Sequence, residues 1–70
     1  HYIYDTWNLM SEASKTLPSG EVADLLEEVL RSNAIRKEDA PLAQRAIPWT
    51  VEQLRAGRPF PDWSDWWNMR

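Results

Sequence analysis

Trp63, Trp66 and Trp67 stand at i, i+3 and i+4 near the end of this chain, a spacing that puts three indoles on one face of a helix. The chemistry such a group offers is recognition by burial. One fully buried indole removes ~150–250 Å² from water, a gross gain of roughly 4–6 kcal/mol at ~25 cal/mol per Å². A small domain's whole net stability is ~5–15 kcal/mol. Trp49 and Phe60 are placed to join the three, and Pro48, Pro59 and Pro61 can stack on indole faces. Two destinations are open. The rings close a thin core as a C-terminal lid, or at least one stays outside as an anchor for a partner, because Trp, Tyr and Arg concentrate at binding hot spots. Trp49, Phe60, Trp63, Trp66 and Trp67 are therefore the candidate partner-binding residues.

Bond-making chemistry has little to draw on. The single histidine is His1, so Ser11, Ser14, Ser19, Ser32 and Ser64 have no imidazole to activate them. Glu27 and Glu28 are adjacent and point apart on a helix, while Glu38/Asp39 and Asp62/Asp65 are better explained as helix-start residues. Gly20 and Gly57 are far apart and belong to turns, not to a phosphate loop. No cysteine is present and no metal-ligand spacing appears. The expectation is a chain that is not an enzyme and needs no cofactor or metal.

Charge narrows the partners. The net charge is −3. Residues 1–35 hold six acids and two bases, and residues 36–70 hold five acids and six bases. An acidic first half lacks the basic footprint of a general nucleic-acid binder. Glu21, Asp24, Glu27 and Glu28 form either an ordinary solvated face or one that steers a basic partner. No apolar run approaches the ~20 residues of a membrane span. Asp5 and Glu12 interrupt any signal-peptide pattern, and Asp62 and Asp65 sit where an interfacial helix would need bases. The expected compartment is the cytoplasm, which suits a chain with no cysteine. The first residue is not Met, which reads either as a trimmed chain or as a piece of a longer protein.

The elements that must position the aromatic residues are helical. Ile3, Trp7, Met10, Ala13 and Leu17 recur at helical spacing, with Asp5 or Thr6 as cap and Pro18 as stop. Ser19 caps a second helix, whose stripe is Val22, Leu25, Leu26, Val29 and Leu30. Glu27 pairs with Arg31, and Ser32 and Asn33 end it. Asp39 caps a short helix over 40–46, with Pro41 in its first turn and Pro48 beyond its end. Thr50 and Gln53 read as a capping box for a helix over 51–56, stopped by Gly57. Pro59, Phe60 and Pro61 form a stiff link, and Asp62 caps a last turn over 63–69 with Asp65 at its third position.

Lys37, Glu38 and Asp39, then Leu42 and Ala43, Thr50 and Val51, Gly57 and Arg58, and Pro61 resemble a helix-turn-helix of the phage-repressor type over about a third of the chain. The resemblance implies that Leu42 and Ala43 belong to a first helix and that Thr50 and Val51 open a recognition helix. Gln53 and Arg55 would then read bases and Arg58 would meet a phosphate. The turn departs from the pattern: it lacks the glycine, is shortened and contains Pro48.

The reading is one all-α domain over residues 1–70, a small bundle of four to five short helices. Its expected core is Trp7, Met10, Val22, Leu25, Leu26, Val29, Leu30, Leu42, Ile47, Leu54 and some of the tryptophans. The expected function is a protein–protein interaction module, in an adaptor, regulatory or assembly role. Its partner is another protein or a second copy of itself, since a chain this small can gain core by dimerising. The alternative is a DNA-binding regulator using residues 37–58.

Overall fold

The computed structural model describes residues 2–32 and 34–70; His1 and Asn33, the second half of the expected stop of the second helix, lie outside the described residues. Four α-helices follow one another: α1 (Ile3–Ala13), α2 (Ser19–Arg31), α3 (Ala40–Arg55) and α4 (Trp63–Trp67). A 3-10 turn over Lys37–Asp39 leads into α3. The described residues contain no strand, so the chain is the small all-α bundle that its periodicity indicates.

The core forms chiefly where α2 lies on α3. Val22, Ala23 and Leu26 from α2 meet Leu42, Ala43, Ala46, Ile47, Val51 and Leu54 from α3. Ile3 and Met10 close it from α1, and Trp66 from α4. Trp7, Val29 and Leu30 pack on its margin, half-buried. Leu25 does not join them: it is 41% exposed. At about 100° per residue, the buried arc of α2 runs from Val29 through Val22, Leu26 and Leu30 to Ala23. Leu25 lies just outside that arc, on the solvent side.

The largest departure from expectation is α3. Residues 40–46 and 51–56 do not form two helices with a turn between them; one helix of 16 residues runs through Pro48. Proline removes the N–H that would bond the carbonyl of residue 44 and crowds that carbonyl. Pro48 and Gln44 are both exposed, so the missing bond lies on the solvent side of the helix. On the opposite side a continuous buried stripe, from Leu42 to Leu54, holds the helix against α2. Thr50 is therefore interior to a helix and caps nothing; its hydroxyl bonds back to the Ala46 carbonyl at 2.8 Å.

The helix ends show what competes for capping. α1 begins at Ile3, two and three residues before the expected caps, so Asp5 and Thr6 lie inside it and Thr6 is buried. Its first N–H is capped from a distance: Ile3 N–H donates to Asp39 Oδ2 at 3.0 Å. Asp39 stands at the start of α3 as expected but spends its carboxylate on α1 and on Arg36, not on its own helix. Burial raises the Asp39 carboxyl, but the Ile3 and Arg36 hydrogen bonds and the Arg36 charge outweigh it, and the net shift is down. α1 also ends early, at Ala13, and leaves Leu17 37% exposed in the turn. Ser19 lies inside α2, with Pro18 at the cap position.

Two local signals hold. Gly57 adopts φ +80°, and Arg58 N–H to Gln53 O with Gly57 N–H to Leu54 O closes α3 as a Schellman motif. Asp62 and Asp65 form the capping box of α4, with Asp62 N–H donating to Asp65 Oδ2 at 3.1 Å.

Candidate functional site

The segment after Gly57 returns across the bundle and is fastened at three points. Trp7 Nε1–H donates to the Pro61 carbonyl at 3.1 Å. Trp66 Nε1–H donates to the Thr50 hydroxyl at 2.7 Å. Arg45 donates to the Met69 carbonyl at 3.2 Å. The extended Pro59–Pro61 link and the Asp62/Asp65 box thereby set α4 at a fixed angle to α1 and α3.

That angle divides the three closing indoles, which do not act as one face. Trp66 points inward and is fully buried beside Thr50. Trp63 is half-buried, and Trp67 is 43% exposed. Trp63 and Trp67 lie with ring centroids 5.9 Å apart. Tyr4, from α1, meets the Trp63 ring edge-on at 5.0 Å, and Trp7 stands behind both at 5.7 and 5.9 Å. At the other end the Arg70 guanidinium covers the Trp67 ring at 3.7 Å. The result is a surface row, Tyr4–Trp63–Trp67–Arg70, built from both ends of the chain.

Trp49 and Phe60 lie elsewhere. They line an open groove of about 480 Å³ with Gln53, Arg58, the Pro59–Pro61 link and the two aspartates of the α4 box. Phe60 also touches the inner side of α4, 6.3 Å from the Trp66 ring. Of the five aromatic candidates, then, one belongs to the core, two to the surface row and two to this groove.

The DNA-reading candidates are also separated. Arg58 donates to Gln53 Oε1 at 3.1 Å, so these two share the groove. Arg55 faces α2 and is bound by Asp24 and Glu27 at 2.9 and 2.5 Å. Those hydrogen bonds, with the charges of both carboxylates, raise its pKa above the ordinary arginine value. Glu27 is thus taken by Arg55, and Arg31 pairs with Glu28 instead of the expected Glu27. Among the described residues, no three His, Cys, Asp or Glu side chains are grouped to hold a metal ion.

Sequence reasoning missed Tyr4 and Arg70. Tyr4 carried a usable signal, since it stands three residues before Trp7 on α1 and so shares its side of the helix. Arg70 carried one too, three residues after Trp67, the spacing at which its head reaches back over the ring.

The chain matches no protein-family model, no curated protein and no solved structure. None of the helices over the described residues is long and apolar enough to cross a membrane.

Proposed function

We propose that this chain is a non-enzymatic protein-interaction module, in an adaptor or assembly role, whose contact surface is the row Tyr4–Trp63–Trp67–Arg70. The observation that carries this reading is the 43% exposure of Trp67 beside a Trp66 that is fully buried. Of the three closing indoles Trp66 is the one in the core, so the exposed part of Trp67 is left to a partner. A tyrosine, two tryptophans and an arginine in one row match the composition of binding hot spots. The rings pack on one another at 5.0 and 5.9 Å, and such mutual packing lowers the ordering cost of binding. The compartment that goes with this reading is the cytoplasm, where a chain without cysteine is at no disadvantage.

We favour this over the DNA-binding alternative for two reasons. Arg55 is already held by two carboxylates, and α3 runs on without the turn that a recognition helix follows.

Site-specific photocrosslinking tests the reading in the source cells. A benzoylphenylalanine at position 67 should give discrete protein adducts, and one at exposed Glu52 should not. No adduct from position 67, or the same adducts from both positions, overturns it.

A further inference from the structure

The solvent side of α2 holds a second surface, on elements the aromatic row does not use. Glu21, Asp24, Leu25 and Glu28 recur at i, i+3, i+4 and i+7, and Leu17 from the preceding turn closes one side. Together they line an open concavity of about 550 Å³. Its floor is apolar and wet, since Leu25 and Leu17 are 41% and 37% exposed. Its rim is three carboxylates, with no base in the lining.

Charge singles out the occupant. α2 carries four carboxylates and one arginine, a net of −3 that equals the charge of the whole chain. The seven acids and seven bases elsewhere cancel. With Arg55 of α3 bound to Asp24 and Glu27, this side of the molecule still keeps a net of −2 beside an exposed leucine. Glu21 has no ion-pair partner among the described residues, while Asp24 and Glu28 meet Arg55 and Arg31 in solvent-exposed pairs. Exposed pairs of this kind contribute little and exchange readily.

We infer that this groove docks a cationic amphipathic segment of a partner protein. One large apolar side chain of that segment seats on Leu17 and Leu25. Lysines or arginines on the flanking turns meet Glu21, Asp24 and Glu28. The helical repeat of the acids suits a helix laid along α2, and their charge steers its approach. The inference shares no residue with the aromatic row and stands without it.

The probe is a fluorescein-labelled amphipathic peptide of roughly 14 residues, about four helical turns, made of leucine and lysine. Its controls replace every lysine by glutamate, or every leucine by serine. Binding is read by fluorescence anisotropy at low and high NaCl, with far-UV circular dichroism of each variant. The expected results are binding of the leucine–lysine peptide only, weakened by salt. Leu25→Ser should weaken it about tenfold or more, and Glu21→Lys should weaken it by several-fold. Glu52→Lys, the same charge change on exposed α3, should leave it within about twofold.

The inference is overturned if the leucine–lysine peptide does not bind, or if the serine–lysine peptide binds equally well. It is overturned equally if Leu25→Ser and Glu21→Lys bind the peptide as the wild type does. Sedimentation equilibrium supplies the remaining outcome: a wild-type dimer that Leu25→Ser renders monomeric would mean a second copy covers the groove, against the inference.

Discussion

The indole N–H of Trp66 donates to the Thr50 hydroxyl at 2.7 Å, and that hydroxyl donates in turn to the Ala46 carbonyl at 2.8 Å. All three residues are fully buried. The relay ties α4 to the middle of α3, two residues past the proline that should have broken it. It satisfies the one polar atom of the largest buried side chain. Thr50→Val keeps the shape and removes the acceptor, leaving a buried N–H without a partner. The expected loss is about 1–3 kcal/mol of unfolding free energy in urea denaturation, with a smaller loss for Thr50→Ser.

Pro48 makes a prediction of the opposite sign. Its ring removes one α3 hydrogen bond, and the helix persists because the stripe from Leu42 to Leu54 is buried against α2. Proline in a helix interior costs ~3 kcal/mol relative to alanine, part of which its stiffness in the unfolded chain repays. Pro48→Ala should therefore raise stability by about 1–2 kcal/mol. A destabilised variant in the same denaturation experiment would contradict the continuous α3.

Asp39 sets an acid limit. Its carboxyl is held below the ordinary value, since the Ile3 N–H, the Arg36 hydrogen bond and the Arg36 charge together outweigh the opposing effect of burial. A carboxyl depressed in the folded state contributes stability above its unfolded pKa of about 3.9, and that contribution disappears as pH falls through the folded value. Asp39→Ala should cost about 1–2 kcal/mol at neutral pH. The gap between wild type and variant should then close in acid below about pH 4. Denaturation profiles at several pH values read this directly, and a gap that stays constant into acid would contradict it.

What the sequence disclosed and what it withheld divide by range. The stripe of α2, the stop at Gly57 and the Asp62/Asp65 box depend on neighbours within a turn or two, and each is legible from spacing. The continuity of α3 depends on burial against α2, which local rules about proline do not contain. Leu25 read as core because it sits beside Val22 and Leu26, which are core, and Val29 and Leu30, which pack on the core's margin. Ala23 marks the edge of the buried arc on the far side, and only the position of α3 shows which edge is used. The three closing indoles read as one face because i, i+3 and i+4 share a side of any helix. Their separation depends on Thr50 drawing Trp66 inward and on Tyr4, some sixty residues away in sequence, meeting Trp63 from outside.

Stability should separate Trp66 from Trp67 as sharply as burial does. Trp66→Ala empties a closed site and should cost about 3–5 kcal/mol. Trp67→Ala removes one ring contact and an exposed cation–π pair, and should cost about 1 kcal/mol. Equal losses from the two variants in thermal or urea unfolding would refute this division.

The division of the indoles is tested most directly by ¹⁹F NMR of the protein labelled with 5-fluorotryptophan, each resonance assigned by a Trp→Phe variant. A soluble paramagnetic agent is added at a protein concentration where the chain is monomeric. The Trp66 resonance should be unaffected by the agent, the Trp67 resonance strongly relaxed and the Trp63 resonance intermediate. A Trp66 resonance relaxed as strongly as that of Trp67, or a Trp67 protected in the monomer, would contradict the account.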